Sequence, residues 1–232
     1  MEASQAIADL EGLGLAWARF APTLAIVPAF GLRALPTAAR GILGLALAAA
    51  IYPALAPLAR DPHLPWVALA LREIMLGLPV ALAAAIPLWA ATMAGGLVDS
   101  LRGAQEASGV AVVEGGRSSP LGVLLSMLAS VVFLSTGGPA RVAAALASTT
   151  SPERPLLAAS HALTAGITLA VAVGAPLLAA AVVIEVAFAL VARAASPAQV
   201  HALLAPLRAL GLLAVVALVL ERLVTVLALA GY

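Results

Sequence analysis

Residues 155–184 read PLLAASHALTAGITLAVAVGAPLLAAAVVI, a run of 30 residues without a formal charge. As a straight α-helix this run would be about 45 Å long, at about 1.5 Å per residue. The hydrocarbon core of a bilayer is only about 30 Å thick. The run is therefore long and apolar enough to predict a membrane-spanning helix. Pro176 within it predicts a kink or a break into two half-helices, because proline removes a backbone hydrogen bond.

Five further hydrophobic elements have a similar composition. Three are free of formal charge and two are interrupted by charges: 41–59, 74–98, 118–140, about 13–32 and about 203–230. Proline recurs within the apolar segments, so broken helices are expected along the chain: Pro22, Pro28, Pro53, Pro57, Pro79, Pro87 and Pro206. Such breaks need protein or water around them at membrane depth. The pattern predicts an all-α, polytopic integral membrane protein with about six hydrophobic elements, which form kinked helical hairpins within a larger helical assembly.

The composition of the whole chain indicates the same class. Of the 232 residues, 63% are hydrophobic and only 10% are charged, whereas about a quarter of the residues in a soluble domain are charged. The mean hydropathy of +1.11 excludes an intrinsically disordered chain, which needs low hydrophobicity and high charge. A net charge of +1 provides no bulk attraction to nucleic acid.

Missing residue types restrict the chemistry that the chain could perform. The sequence has no cysteine, and all 12 basic residues are arginine. Thiolate nucleophiles, cysteine-bound metals and lysine-dependent catalysis are therefore excluded. The three histidines, His63, His161 and His201, are far apart and form no His-Glu-x-x-His motif. We expect no cofactor, no metal and no enzymatic activity.

Three Ser-Pro dipeptides predict where helices begin. Serine is a favoured N-cap residue and proline is favoured at the first helical position. Ser119-Pro120, Ser151-Pro152 and Ser196-Pro197 therefore predict helix starts at 120, 152 and 197.

Several charged residues lie inside apolar segments, where each costs roughly 2.5 to 3.5 kcal/mol at bilayer depth. They are Arg19, Arg72, Glu73, Arg141, Glu185, Glu221 and Arg222. Such residues should face protein or water. Two interpretations remain open: ion pairs between helices or between subunits, and a proton or ion relay of a transporter.

The connection over 102–120, RGAQEASGVAVVEGGRSSP, has an unusual composition. Four glycines surround a small apolar centre, Val110-Ala111-Val112-Val113. An exposed linker is normally polar, so this pattern is compatible with a flap that inserts into a pore or a partner surface, and composition alone does not decide between that flap and its alternative. The alternative is a hydrophobic turn that lies on the membrane surface.

The order and spacing of several motifs resemble the FliR/SctT family, the export-gate membrane proteins of flagellar and virulence-type type III secretion systems. The central motifs are AGGLVDSLRG (94–103), SSPLG (118–122) and FLSTGG (133–138). The flanking motifs are WARFAPTLAIVPAFGLRALPTAARG (17–41), REIMLG (72–77) and GAPLLAAAVVIEVAFALVAR (174–193). The resemblance thus covers nearly the whole chain, and Gly137-Gly138 and Glu185 favour the injectisome branch.

The resemblance implies a non-enzymatic subunit of an export apparatus in the bacterial inner membrane. The chain would be multi-pass, with 1–232 forming one membrane-associated export-gate domain and the assembled gate extending to the periplasmic side. The implied partners are FliP/SctR-type and FliQ/SctS-type subunits, FlhB/SctU-type and FlhA/SctV-type proteins, and unfolded secretion substrates.

The resemblance also assigns roles to particular residues. A plug loop that blocks the channel would comprise Glu106, Ser108, Gly109, Val110, Val112, Val113, Glu114, Gly115, Gly116 and Arg117. Structural or assembly contacts would be made by Arg72, Glu73, Asp99, Arg102, Pro176, Glu185 and Arg208.

A small secondary transporter is the alternative function. In that case Arg72, Glu73 and Glu185 would form a coupling site beside Pro176. Transporters of this kind usually show a two-fold internal repeat, and the two halves of the sequence show no convincing similarity.

Overall fold

The computed structural model describes residues 2–30, 36–55, 64–101, 119–148, 155–194 and 201–230. Within these ranges the chain forms seven α-helices and one short 3-10 helix over Pro28–Phe30, and no strand. The helices are α1 (Glu2–Ile26), α2 (Thr37–Leu55), α3 (Trp66–Leu101), α4 (Pro120–Ser135), α5 (Gly138–Ser148), α6 (Pro155–Ala194) and α7 (His201–Ala230). The all-α class is confirmed.

Two described helices, α3 and α6, are long and apolar enough to cross a membrane. Helices α4 and α5 together would make a third span, bent by 66°. The apolar part of α2, Gly41–Leu55, is a shorter apolar helix. Among the described residues, two or three helices are thus long and apolar enough for a span, fewer than the six hydrophobic elements that the sequence predicts.

Most of the prolines do not break a helix, and the kink that the sequence predicts as the alternative at Pro176 stays a prediction. The α-helices continue through Pro22, Pro53, Pro79, Pro87, Pro176 and Pro206. Helix α6 thus runs over 40 residues without dividing into two half-helices. One proline removes a single backbone hydrogen bond, and the neighbouring bonds of a long helix maintain the helical path. Helix α1 does end just before Pro28, as the sequence predicts, whereas Pro57 lies outside the described residues.

The break between α4 and α5 depends on glycine. Gly137 has a φ of +77°, which L side chains rarely adopt. Its N–H donates to the carbonyl of Leu134 at 3.3 Å, which ends α4. Nη1 of Arg141 donates to the Thr136 carbonyl at 2.8 Å, and Nη2 donates to the Thr136 hydroxyl at 3.1 Å, so both terminal nitrogens are hydrogen-bonded within the turn.

The chain divides into two compact units. Unit 1 comprises Met1–Ile86 and Phe133–Gly166. Its core is formed by α1, α2 and α5, with these buried side chains: Ala16, Phe20, Ala48, Ile51, Leu55, Val142 and Leu146. Phe30 packs edge-on against Phe20 and Phe133, with ring centroids 6.1 and 6.2 Å apart.

Unit 2 comprises Pro87–Val132 and Ile167–Tyr232. Its buried side chains include Leu88, Val98, Leu125, Leu177 and Leu212. The surface of α6 in this unit stays largely apolar, with Val182, Val183 and Leu190 more than half exposed. Only 12% of the most apolar stretch of α6 is buried. A helix that is apolar on all sides belongs in lipid or against other protein.

Candidate functional site

The buried charges of unit 1 form an ion pair between two helices. Arg19 on α1 is fully buried, and its Nε donates to Glu73 Oε2 on α3 at 2.6 Å. Nη1 of the same guanidinium donates to the carbonyl of Leu146 on α5 at 3.0 Å. This arginine thus connects three helices at one point. We refer to the contact between the two side chains as the Arg19–Glu73 pair.

A glycine contact supports the Arg19–Glu73 pair. Gly77 lies one turn after Glu73 on α3 and is therefore on the same helix face. A Cβ atom at Gly77 would overlap the backbone carbonyl of Arg19. The backbones of α1 and α3 therefore touch, and this close approach allows the arginine to reach the carboxylate.

Arg72 faces away from this pair. Consecutive residues of a helix point in different directions, so Arg72 is exposed while Glu73 is buried. The sequence grouped Arg72 and Glu73 as one charged site, but Glu73 is paired with Arg19. The role of Arg72 as an assembly contact stays a prediction.

In unit 2, α3 and α4 meet through two glycines. A Cβ atom at Gly95 would lie 2.6 Å from the Cα and the N of Gly122 and from the carbonyl carbon of Leu121. A Cβ atom at Gly122 would lie 3.0 Å from the carbonyl oxygen of Thr92. Only hydrogen atoms fit between these two backbones. We refer to the contact, comprising Gly95, Asp99, Ser119 and Gly122, as the α3–α4 joint.

Asp99 and Ser119 satisfy the first backbone donors of α4. Pro120 at the first helical position has no N–H. The Leu121 N–H donates to Asp99 Oδ2 at 2.7 Å, and the Gly122 N–H donates to Ser119 Oγ at 2.9 Å. The predicted helix start at 120 with Ser119 as N-cap is confirmed. The predicted starts at 152 and 197 lie outside the described residues.

The carboxylate of Asp99 is fully buried. A negative charge at a helix N-terminus is favourable, because the macrodipole of the helix is positive at that end. Asp99 lies four residues after Gly95 and thus on the same face of α3. The glycine therefore sets the distance between the helices and the carboxylate caps the neighbouring helix.

Arg208 on α7 provides a hydrogen-bond donor for the C-terminal end of α3. Its Nη2 donates to the Leu101 carbonyl, at the end of α3, at 2.6 Å. The same nitrogen lies 2.7 Å from Glu185 Oε2 on α6, and the two side chains are 33% and 53% exposed. The sequence placed Glu185 and Arg208 separately among the assembly contacts, and the structure pairs them.

Among the described residues, the remaining predicted site residues do not come together at one place. The ten predicted plug residues and Arg102 lie outside the described residues, which omit 102–118. Pro176 lies within α6 and is partly buried. Across the described ranges, no group of three or more histidine, aspartate and glutamate side chains could hold a metal ion.

Sequence reasoning missed the glycine contacts at Gly77, Gly95 and Gly122. One signal was available, because two of the three glycines of α3 are spaced four residues from an acidic residue: Gly77 from Glu73 and Gly95 from Asp99. A glycine and a carboxylate on one helix face indicate a close helix crossing with a buried polar contact.

The Arg19–Glu73 pair yields a stability prediction. Glu73→Gln should lower the free energy of unfolding by about 3–5 kcal/mol, because it leaves a buried guanidinium without its carboxylate. The double variant Arg19→Met with Glu73→Leu should lose less, since no buried charge remains. Arg72→Gln is the matched control at an exposed neighbour and should change stability by less than about 0.5 kcal/mol. Thermal unfolding of the detergent-solubilised chain measures all three, and equal losses for Glu73→Gln and Arg72→Gln would contradict the prediction.

The α3–α4 joint yields a second prediction from adjacent glycines. Gly95→Ala should destabilise the chain by about 1–3 kcal/mol, because the added methyl group meets backbone that cannot move aside. Gly96→Ala should be neutral or slightly stabilising, since a Cβ atom there lies 3.8 Å from its nearest neighbour, Ser119 Oγ, and alanine favours helix over glycine. Unfolding temperatures of the two variants provide the measurement. Similar temperatures for both would refute the close contact.

Comparison with known proteins identifies the family. The family model described as "Bacterial export proteins, family 1" matches residues 10–230. The secretion system apparatus protein SsaT of Salmonella typhimurium is 36% identical over 73 residues, which are 32% of this chain and 28% of SsaT. The match thus spans well under two thirds of the length of that relative. Because the family model covers nearly the whole sequence, the chain belongs to the bacterial export proteins, family 1, the FliR/SctT family that its motifs resemble.

Proposed function

We propose that this chain is a non-enzymatic subunit of a type III protein secretion export apparatus in the bacterial inner membrane. The family match over residues 10–230 is the observation that carries the proposal. The name of SsaT, a secretion system apparatus protein, supports it. In this role the chain helps to form and to close a protein-conducting gate.

The charged residues favour a structural role over ion coupling. A coupling site needs carboxylates that can bind and release an ion. Both carboxylates of the alternative transporter site already hold an arginine of this chain: Glu73 is paired with Arg19, and Glu185 is paired with Arg208. Glu73 is also almost completely buried. These contacts support the role of an export-apparatus subunit over that of a secondary transporter.

The exposed surface of α6 supports assembly with other helical subunits. Partners that bury this surface would be FliP/SctR-type and FliQ/SctS-type gate subunits, with FlhB/SctU-type and FlhA/SctV-type proteins nearby. Glu185 interrupts the apolar surface with a carboxylate that is half exposed. A charge at that position is costly against lipid and acceptable against protein or water.

Within the gate, we assign residues 106–117 the role of a plug. The segment combines glycine with small apolar side chains, as in Gly109, Val110, Val112 and Val113. A cluster of small apolar side chains can exclude water and ions from a narrow passage. The described helices on either side of the connection are in contact with each other at the α3–α4 joint.

Co-purification tests the subunit assignment. An affinity-tagged chain, expressed from its native locus and extracted in mild detergent, should elute as a large hetero-oligomer, and its partners can be identified by mass spectrometry. Deletion of the chain should abolish secretion, and the tagged chain should restore it. A monomer or a dimer without partners would support the transporter alternative and sink the proposal.

Deleting residues 108–117 tests the plug. We expect normal recovery of the complex and an increased leak of ions or small molecules, because the apolar seal is removed while the flanking helices stay intact. Replacing Val110, Val112 and Val113 by serine keeps the length of the connection and should increase the leak in the same direction. Gly96→Ala serves as the control with normal conductance. Unchanged membrane conductance in the deletion variant would count against the plug.

A further inference from the structure

We propose that Asp99 is a positioning residue that keeps the α3–α4 joint closed at rest and during protein export, so that the joint acts as a fixed anchor and not as a hinge. The inference rests on the proposed function only in assuming that protein passes beside this subunit. It concerns described residues of unit 2, at Gly95, Asp99, Ser119, Leu121 and Gly122.

Sterics oppose sliding of the two helices. Gly95 and Gly122 have no Cβ atoms, whereas the positions one turn away on the same helix faces do: Ala91 and Asp99 on α3 and Ser126 on α4. A shift along the helix axis would bring those Cβ atoms against the opposite backbone, where even the glycine sites leave only 2.6 Å. Separation of the helices would open a gap with no side chain available to fill it, and the lost van der Waals contacts would not be replaced.

Electrostatics oppose opening of the joint. Asp99 is fully buried and accepts the Leu121 N–H at 2.7 Å. Hydrogen bonds to a charged acceptor are stronger than those between neutral groups. Opening would leave a carboxylate without this donor and would leave the first free N–H of α4 without an acceptor. The cost falls on both helices at once.

The end of α3 is held by a different side chain. Arg208 donates to the Leu101 carbonyl at 2.6 Å, two residues beyond Asp99 along α3. A cation at the C-terminus of α3 and an anion at the N-terminus of α4 each match the helix dipole that they face. Both helix ends are therefore held by side chains that lie on other described helices.

A disulfide across the joint tests the inference directly. The chain has no cysteine, so Gly96→Cys with Ser119→Cys gives a single possible bond. A Cβ atom at residue 96 lies 3.8 Å from Ser119 Oγ, close enough for the two sulfurs to bond after small adjustments. We expect the bond to form in assembled complexes and to leave protein transport into inverted membrane vesicles within two-fold of the reduced sample. The two single variants are the controls.

Removal of the Asp99 carboxylate is the second test of the inference. Asp99→Ala should lower transport at least ten-fold, and Asp99→Asn, which keeps an acceptor oxygen, should retain transport within about three-fold. The disulfide should restore transport to Asp99→Ala, because it replaces the lost contact. Rescue by a covalent bond between residues 96 and 119 of the joint would not occur if Asp99 contacted the substrate or only aided folding at an unrelated point.

Three results would overturn the inference: failure of the disulfide to form, a ten-fold or greater block that a reductant reverses, and no rescue of Asp99→Ala. If the variants do not assemble, hydrogen exchange of the Leu121 and Gly122 amides in the unmodified complex shows whether the joint stays closed. Protection should change less than two-fold when a substrate is trapped in the gate, and a ten-fold loss of protection would show that the joint opens. A reduced chain that supports no transport and joins no complex would instead refute the proposed function, and the same amides in the isolated chain would then show whether the joint is closed.

Discussion

Arg19 and Glu73 neutralise each other in a part of unit 1 that water does not reach, and the arrangement of that unit follows from their contact. Hydrophobic packing is non-directional and would allow α1 to slide along α3. A guanidinium has donors in fixed directions, and here they select one carboxylate and one carbonyl, those of Glu73 and Leu146. The contact therefore fixes the register of α1 against both α3 and α5. Gly77 makes the required approach possible.

In unit 2, polar contacts at the helix ends fix how the apolar helices pack against each other. Its helices are largely apolar, so apolar contacts alone do not determine which helix packs against which. That information lies in a few polar atoms, because a buried polar group without a partner is costly. Asp99 selects the start of α4 and Arg208 selects the end of α3. In both units, charged residues specify the packing. Hydropathy alone would treat each of these charges as evidence against a membrane protein.

Sequence reasoning recovered the features that depend on local chemistry. The all-α class, the apolar stretches and the helix start at Pro120 follow from hydropathy and N-cap preferences within a few residues. The pairing of Arg19 with Glu73 did not follow, because the two residues are 54 positions apart and Arg72 is an equally plausible sequence neighbour. At Pro176 the sequence predicts a kink or a break, and the break does not occur because a long helix tolerates one missing hydrogen bond.

The state of Glu185 connects the fold to the proposed role. It lies on α6, a helix whose apolar surface is mostly uncovered, and more than half of its side chain is exposed although Arg208 pairs with it. If α6 faced lipid at this level, a partly exposed ion pair would be expensive. If the same surface faces another subunit, the pair can accept further hydrogen bonds from that subunit, and the surrounding valines and leucines can pack against its helices. The combination of an uncovered apolar helix with a half-exposed ion pair therefore favours a chain that completes its packing with other subunits over one that functions alone in lipid.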